Sequence, residues 1–94
     1  MYRILIVEDT PAEADVLRAH LSRYSGEKNL QFAVTVLGSA LEFINSDHVA
    51  DLVLMDIDMP GVNGMEAAEI MRTYDQTTPL IFVTNLAQYA VKGY

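Results

Sequence analysis

The sequence of 94 residues contains no cysteine and only six lysine or arginine residues. Without cysteine the chain can form neither a disulfide nor a thiolate metal site, which fits a reducing cytoplasm. Thirteen aspartate and glutamate residues bring the formal net charge to −7. That sign is wrong for a surface that must attract the phosphate backbone of a nucleic acid. We therefore expect no direct nucleic-acid binding by this segment.

Long apolar runs are also missing. No stretch approaches the ~18 apolar residues of a membrane span, and the acids Glu8 and Asp9 stand where a signal peptide needs a longer apolar region. We expect a cytoplasmic chain that is neither exported nor bound to a membrane. The hydrophobic fraction of 51% and the mean hydropathy of +0.17 nevertheless supply enough apolar surface for a core. We predict one domain over residues 1–94.

Short apolar runs alternate with helix signals along the chain. Unbroken runs, typical of strands buried on both faces of a parallel sheet, cover 4–7, 52–55 and 80–83, and an alternating run covers 31–37. Three helix starts lie between these runs, each with a capping residue and a glutamate three positions later: Thr10 with Glu13, Ser39 with Glu42, and Asn63 with Glu66. This alternation predicts a three-layer α/β fold with a parallel sheet.

Two helix details follow from the same patterns. Ser25-Gly26 predicts the end of the first helix, whose inner face would carry residues 14, 17, 21 and 24. In the third helix the apolar residues predicted to form the inner face are Met65, Ala68, Ile70 and Met71. A further helix is predicted from residue 86 to residue 92.

Polar residues follow three of the predicted strands. Glu8-Asp9 follows the first, Asp56 the third and Thr84 the fourth. Carboxyl ends of parallel strands meet at one edge of a sheet, where ligands bind. Three carboxylates without a neighbouring basic residue would repel one another, so a divalent cation is expected among them. Oxygen ligands without His or Cys predict magnesium or manganese rather than zinc.

A carboxylate beside a bound cation can attack a phosphoryl donor, because phosphoryl transfer needs mainly positioning and charge stabilisation from the protein. Asp56 lies at the centre of the predicted edge and is the best candidate nucleophile. The hydroxyl of Thr84 could then donate a hydrogen bond to a phosphoryl oxygen.

This ordered set of residues resembles the receiver domain of two-component response regulators, from Met1 to Tyr94. Glu8-Asp9 matches the acidic pair of the family, Asp56 its phosphoacceptor, the stretch DIDMPGVNG its phosphoacceptor loop, and Thr84 its switch hydroxyl. The resemblance implies a flavodoxin-like sheet with strand order 2-1-3-4-5. It also implies a phosphoacceptor domain rather than an enzyme, phosphorylated on Asp56 by a sensor histidine kinase.

The resemblance further implies a ligand set and an output. Asp9 and Asp56 would bind Mg²⁺ or Mn²⁺ directly, Glu8 would act through water, and the main-chain carbonyl of Asp58 would complete the protein ligands. Phosphorylation would control an output domain outside this segment, of a DNA-binding, transcription-regulating kind. The stretch TNLAQYAVKGY is similar to receivers joined to LytTR-type DNA-binding domains.

The sequence departs from the family at its carboxyl end. The family binds the phosphoryl group with a lysine that follows a fifth strand and precedes proline, whereas Lys92 precedes Gly93. We therefore predict a receiver truncated before the fifth strand and fifth helix, with sheet order 2-1-3-4. Such a chain is expected to phosphorylate poorly. It is also expected to form a homodimer or higher oligomer through the uncovered strand 80–83.

Two other functions fit parts of the pattern. Haloacid-dehalogenase-type phosphatases also have Asp-x-Asp after an apolar strand, as in DIDMP, and a second strand ending in Thr-Asn, as in LIFVTN. In that family, however, the first motif lies near the first strand and an acidic pair follows later. The other alternative is a pseudo-receiver, an interaction module that takes no phosphate. The acids Glu8, Asp9 and Asp56 argue against it, while the missing lysine leaves it open.

Overall fold

A four-stranded parallel sheet forms the centre of the molecule. The computed structural model describes residues 1–46 and 49–83. The strands are β1 (Tyr2–Val7), β2 (Phe32–Leu37), β3 (Leu52–Met55) and β4 (Leu80–Phe82), and the helices are α1 (Pro11–Lys28), α2 (Ala40–Ile44) and α3 (Gly64–Met71). The strand order is β2-β1-β3-β4, and every pair is parallel. The predicted α/β fold and strand order are confirmed.

Successive residues of β1 point into different layers, as the pleat of a strand requires. Leu5 and Val7 pack with α2 and α3 on one face, whereas Ile4 and Ile6 pack toward α1 on the other. All four side chains are buried. Burial on both faces explains why β1 is an unbroken apolar run. No helix in residues 1–46 and 49–83 is long and apolar enough to cross a membrane.

Helix α1 is longer than predicted. It continues through Ser25-Gly26 to Lys28 and ends where Asn29 adopts a left-handed conformation, with φ of 54° and ψ of 43°. The Leu30 N–H then donates to the Ser25 carbonyl at 3.0 Å. Asparagine tolerates left-handed dihedrals almost as glycine does, so the helix can end at Asn29 rather than at Gly26. The predicted end at Ser25-Gly26 is therefore wrong.

The inner face of α3 also differs from the prediction. Gly64, Ala67 and Met71 are buried, while Met65 and Ile70 are 43% and 39% exposed. The spacing of 64, 67 and 71 is that of one helix face, and its two small residues let α3 lie close to the sheet. The prediction is confirmed for Met71 and is wrong for Met65 and Ile70. The predicted helix over 86–92 lies outside the described residues.

Candidate acidic phosphoacceptor site

The carboxyl ends of β1 and β3 bring three acids together. The Asp56 N–H donates to the Val7 carbonyl at 3.0 Å, which extends the pairing of these strands to the residue that follows β3. Carboxylate oxygens of Glu8, Asp9 and Asp56 all lie within 4.8 Å of one another. These three residues form what we call the acidic site. The strand ends predicted this convergence, and the topology produces it.

Two of the three carboxylates are buried. Glu8 is 5% and Asp56 is 6% exposed, whereas Asp9 is exposed to solvent. Burial, and then a hydrogen bond to Asp56, raises the pKa of Glu8 from its ordinary 4.5 to about 8. Burial also raises the pKa of Asp56. In the absence of a cation, a proton carried by Glu8 therefore joins the two side chains.

Backbone amides orient both buried carboxylates. The Thr10 N–H donates to Glu8 Oε1 at 3.1 Å, and the Asp58 N–H donates to Asp56 Oδ1 at 3.2 Å. Each carboxylate is thus held by the amide two residues further along the chain. These bonds fix the direction of the side chains before any ligand arrives.

Thr10 is the N-cap of α1, as predicted, but its side chain makes no capping hydrogen bond. The Glu13 N–H instead donates to the main-chain oxygen of Thr10 at 3.1 Å. The predicted capping box at this helix is therefore wrong. At the other two helices, Ser39 and Asn63 accept from the main-chain N–H groups of Glu42 and Glu66 at 3.0 and 2.9 Å.

The donor set suits a hard divalent cation. Among residues 1–46 and 49–83 the acidic site is the group in which three potential metal ligands converge, and every ligand atom is a carboxylate oxygen. Oxygen-only coordination is what Mg²⁺ and Mn²⁺ prefer. The metal-binding roles of Glu8, Asp9 and Asp56 stay predictions, as does the phosphoacceptor role of Asp56.

Of two further predicted groups, Asp58 and Thr84, the structure describes only Asp58. The Asp58 amide contacts Asp56, which brings the Asp58 main chain to the edge of the acidic site. Its carbonyl as a metal ligand stays a prediction. Thr84 lies outside the described residues. The residue before it, Val83, donates its N–H to the Met55 carbonyl at 2.8 Å.

Sequence reasoning missed one acid near the site. The Glu13 side chain hydrogen-bonds Glu8, and this contact contributes to the raised pKa of Glu8. The negative charge of Glu13 also raises the pKa of Asp56. The sequence pattern indicates only a capping role for Glu13. The available signal was its place in the first turn of a helix that begins at the same sheet edge as Glu8.

Comparison with known proteins decides the family. Residues 4–94 match the response regulator receiver domain. The chain belongs to this family. The receiver is 32% identical over 91 residues to the transcriptional regulatory protein MalR of Bacillus subtilis, covering 97% of this chain and 38% of MalR. It is 29% identical over 94 residues to the sensory transduction protein LytT of the same species, covering 100% of this chain and 38% of LytT.

Solved structures agree with this assignment. The receiver resembles the response regulator TrrA of Thermotoga maritima in complex with Mg(2+)-BeF, with a TM-score of 0.81 and 27% identity over 97% of this chain and 76% of that chain. TrrA is also similar in its complex with the histidine kinase ThkA, with a TM-score of 0.68 and 29% identity over 95% of this chain and 73% of that chain.

Membership of this family identifies a regulatory phosphoacceptor domain of two-component signalling rather than a catalytic enzyme. It also decides against the phosphatase alternative. The chain spans 38% of the length of MalR and of LytT. MalR is a transcriptional regulatory protein by name, and LytT is a sensory transduction protein by name.

Proposed function

We propose that Asp56 of this receiver accepts a phosphoryl group from the phosphohistidine of a sensor histidine kinase in the cytoplasm. The observation that carries the proposal is the burial of Asp56 at the end of β3, with carboxylate oxygens of Glu8 and Asp9 within 4.8 Å. An Asp56 oxygen attacks the phosphorus and forms a P–O bond. The P–N bond of phosphohistidine breaks, and the imidazole leaves with the electron pair.

The residues that would hold Mg²⁺ or Mn²⁺ are Asp9 and Asp56 directly, Glu8 through water, and the main-chain carbonyl of Asp58. The bound ion would neutralise negative charge on the acids and on the phosphoryl oxygens. Two buried carboxylates with raised pKa values support this proposal, because both would gain from a neighbouring positive charge. The complex of TrrA with Mg(2+)-BeF supports it further.

The partners follow from the relatives. The complex of TrrA with ThkA supports a histidine kinase as phosphodonor. The greater length of MalR and LytT supports an output domain outside this segment, and the name of MalR supports the regulation of transcription as its role. A LytTR-type DNA-binding domain is the specific proposal. In this scheme Thr84 hydrogen-bonds the phosphoryl group and transmits its presence. Direct nucleic-acid binding is not proposed for the receiver itself.

Phosphoryl labelling tests the proposal. The full-length protein and the 94-residue chain are incubated in parallel with phosphoramidate and Mg²⁺, and the label is located by mass spectrometry. We expect labelling of Asp56 that is lost in Asp56→Asn and kept in Asp58→Asn, the matched substitution two residues away. We expect the 94-residue chain to label poorly, because its Lys92 precedes glycine whereas the family lysine precedes proline.

Two results would contradict the assignment. Labelling that survives Asp56→Asn would place the acceptor elsewhere. A full-length protein that is folded, binds Mg²⁺ and takes no label would support the pseudo-receiver alternative.

We also propose that the 94-residue chain by itself forms a homodimer or higher oligomer. Within the described residues β4 is hydrogen-bonded to β3 alone, and Ile81 on β4 is 52% exposed. An apolar strand with one free edge is a template for pairing with a second chain. Light scattering coupled to size exclusion tests this, with Ile81→Lys as the variant expected to weaken association. A wild-type monomer of 10.5 kDa would contradict it.

A further inference from the structure

The first residue of α3 lies against the backbone of the phosphoacceptor. A Cβ atom added to Gly64 would lie 2.1 Å from the Asp56 carbonyl oxygen and 2.9 Å from both the Asp56 carbonyl carbon and Ile57 Cα. Cβ atoms in proteins essentially never come closer than 3.0 Å to such neighbours. The Gly64 N–H also donates to the Ile57 carbonyl at 3.0 Å. Glycine thus permits a close contact between α3 and the Asp56–Ile57 peptide.

Space, rather than backbone conformation, requires glycine at this position. Gly61 in the same loop has a φ of 77°, in the left-handed region, while Gly64 has no positive φ. The three atoms nearest to an added Gly64 Cβ are all main-chain atoms. They cannot rotate away as the tip of a flexible side chain can, so either α3 or the Asp56–Ile57 peptide would have to shift.

Packing determines which of the two would shift. Ala67 and Met71 hold α3 in the core with exposures of 0% and 2%, and Met59 in the preceding loop is 7% exposed. Moving α3 outward would open space beside these buried side chains, which is unfavourable in a close-packed interior. Ile57 is half-buried and Asp58 is exposed, so the peptide after Asp56 is expected to move first. That movement changes the hydrogen bond from the Asp58 N–H to Asp56 Oδ1.

We propose that Gly64 is a positioning residue for the acidic site, acting by holding the Asp56–Ile57 peptide against the start of α3. Its contact fixes the direction of the Asp56 carboxylate and of the Asp58 main chain. The functional consequence rests on the proposed function, because the atoms so positioned are the proposed acceptor and the proposed metal ligands. The structural consequence, an ordered Asp58 amide, does not depend on phosphorylation.

The test compares Gly64→Ala with two controls in the full-length protein. Gly26→Ala makes the same change in α1, where nothing lies within 4 Å of the added Cβ. Ala67→Gly weakens α3 one turn later without touching the Asp56 backbone. The first readout is amide hydrogen exchange at Asp58 in metal-free protein, followed by NMR. We expect exchange at least ten-fold faster in Gly64→Ala and unchanged within two-fold in both controls.

The second readout is the Mg²⁺ concentration that gives half-maximal labelling of Asp56 by phosphoramidate. We expect it to rise at least ten-fold in Gly64→Ala and to stay within two-fold of wild type in Ala67→Gly. Unchanged Asp58 exchange in folded Gly64→Ala would overturn the proposal, as would an equal effect in Ala67→Gly. If the wild-type protein takes no label at all, the proposed function is contradicted. The exchange measurement would still test the positioning role, because it does not depend on phosphorylation.

A milder pair of variants covers the case in which Gly64→Ala does not fold. Asn63→Ala removes the cap of α3 beside Gly64, and Ser39→Ala removes the equivalent cap of α2, which has no contact with the Asp56 peptide among those described. We expect Asp58 exchange to rise two- to three-fold in Asn63→Ala and not in Ser39→Ala. Equal exchange in the two variants would overturn the proposal.

Discussion

Acidic side chains at the two ends of the sheet lie in opposite electrostatic environments. At the carboxyl end, Glu8 and Asp56 are buried beside another acid, and no basic side chain is seen among their described contacts. At the amino end, Asp51 accepts hydrogen bonds from the Arg3 main-chain N–H at 2.8 Å and from its guanidinium at 3.3 Å. Asp75, also at that end, accepts from the main-chain N–H groups of two threonines.

Opposite pKa shifts follow from this difference. Hydrogen bonds from Thr78 lower the pKa of Asp75 to about 2, and the Arg3 backbone hydrogen bond lowers the pKa of Asp51. Burial raises the pKa values of Glu8 and Asp56. The chain therefore supplies donors for the acids that hold its structure together. It leaves the acidic site short of positive charge, which a ligand from outside can provide.

The largest expected effect comes from replacing an aspartate with asparagine at each end of the sheet, at Asp56 and at Asp75. In metal-free buffer at pH 8, Asp56→Asn should raise the melting temperature, because it removes a buried charge that lacks a counterion. A relief of about 1 kcal/mol corresponds to a rise of about 4–8 °C in a domain of this size. Asp75→Asn should lower the melting temperature, because it weakens hydrogen bonds that favour the ionised carboxylate. Circular dichroism melting measures both.

Saturating Mg²⁺ is the control for this pair. It should remove the advantage of Asp56→Asn, because the wild type then gains a counterion, and it should leave the effect of Asp75→Asn unchanged. If Asp56→Asn and Asp75→Asn shift the melting temperature in the same direction in metal-free buffer, the proposed difference between the two ends of the sheet is contradicted.

The next effect is the pH dependence of the metal-free protein. The pKa of Glu8 is about 8 in the folded state and has an ordinary value of 4.5. The folded state then binds a proton that the unfolded state has already lost, so the free energy of unfolding falls as pH rises from about 4.5 to about 8. Stability from this group is complete below the lower value and is lost above the upper one. Urea unfolding across pH 5 to 9 measures it.

Glu8→Gln sharpens this second prediction, because an amide at position 8 cannot titrate. The decline in stability with pH should become shallower in Glu8→Gln. Millimolar Mg²⁺ should stabilise the wild type more at pH 8 than at pH 5, since the cation competes with the proton for the same oxygens. A wild-type slope that matches Glu8→Gln would show that Glu8 does not hold this proton.

The smallest effect is expected at the exposed pair of Arg3 and Asp51, whose side chains are 53% and 39% exposed. Asp51→Asn keeps an oxygen that can accept from the Arg3 main-chain N–H, while the charge attraction is lost. We expect a slight decrease in stability that disappears in 1 M NaCl, because salt screens exposed pairs. Arg3→Gln is the matched control. A decrease as large as that of Asp75→Asn would contradict this account.

The strand ends could be predicted because their signal is local. An apolar run followed at once by an acid places that acid at the carboxyl edge, wherever the strands lie in the sheet. Residues 52–55 and Asp56 show this most directly, and the caps Ser39 and Asn63 were equally local. The inner face of α3 was not predictable in this way, because Met65 and Ala67 are both apolar. Only the distance to the sheet favours the smaller one.

The sequence by itself determined the order of the elements, their type and the edge at which Glu8, Asp9 and Asp56 meet. Hydrophobic periodicity and strand termination act within a few residues, so no knowledge of the fold was needed. The tertiary structure alone decided which acids are buried, which pKa values rise, and that α3 begins in contact with the Asp56 backbone. Burial and close approach depend on residues distant in sequence. In a chain with a formal net charge of −7, burial and close approach make a common carboxylate suited to bind a cation.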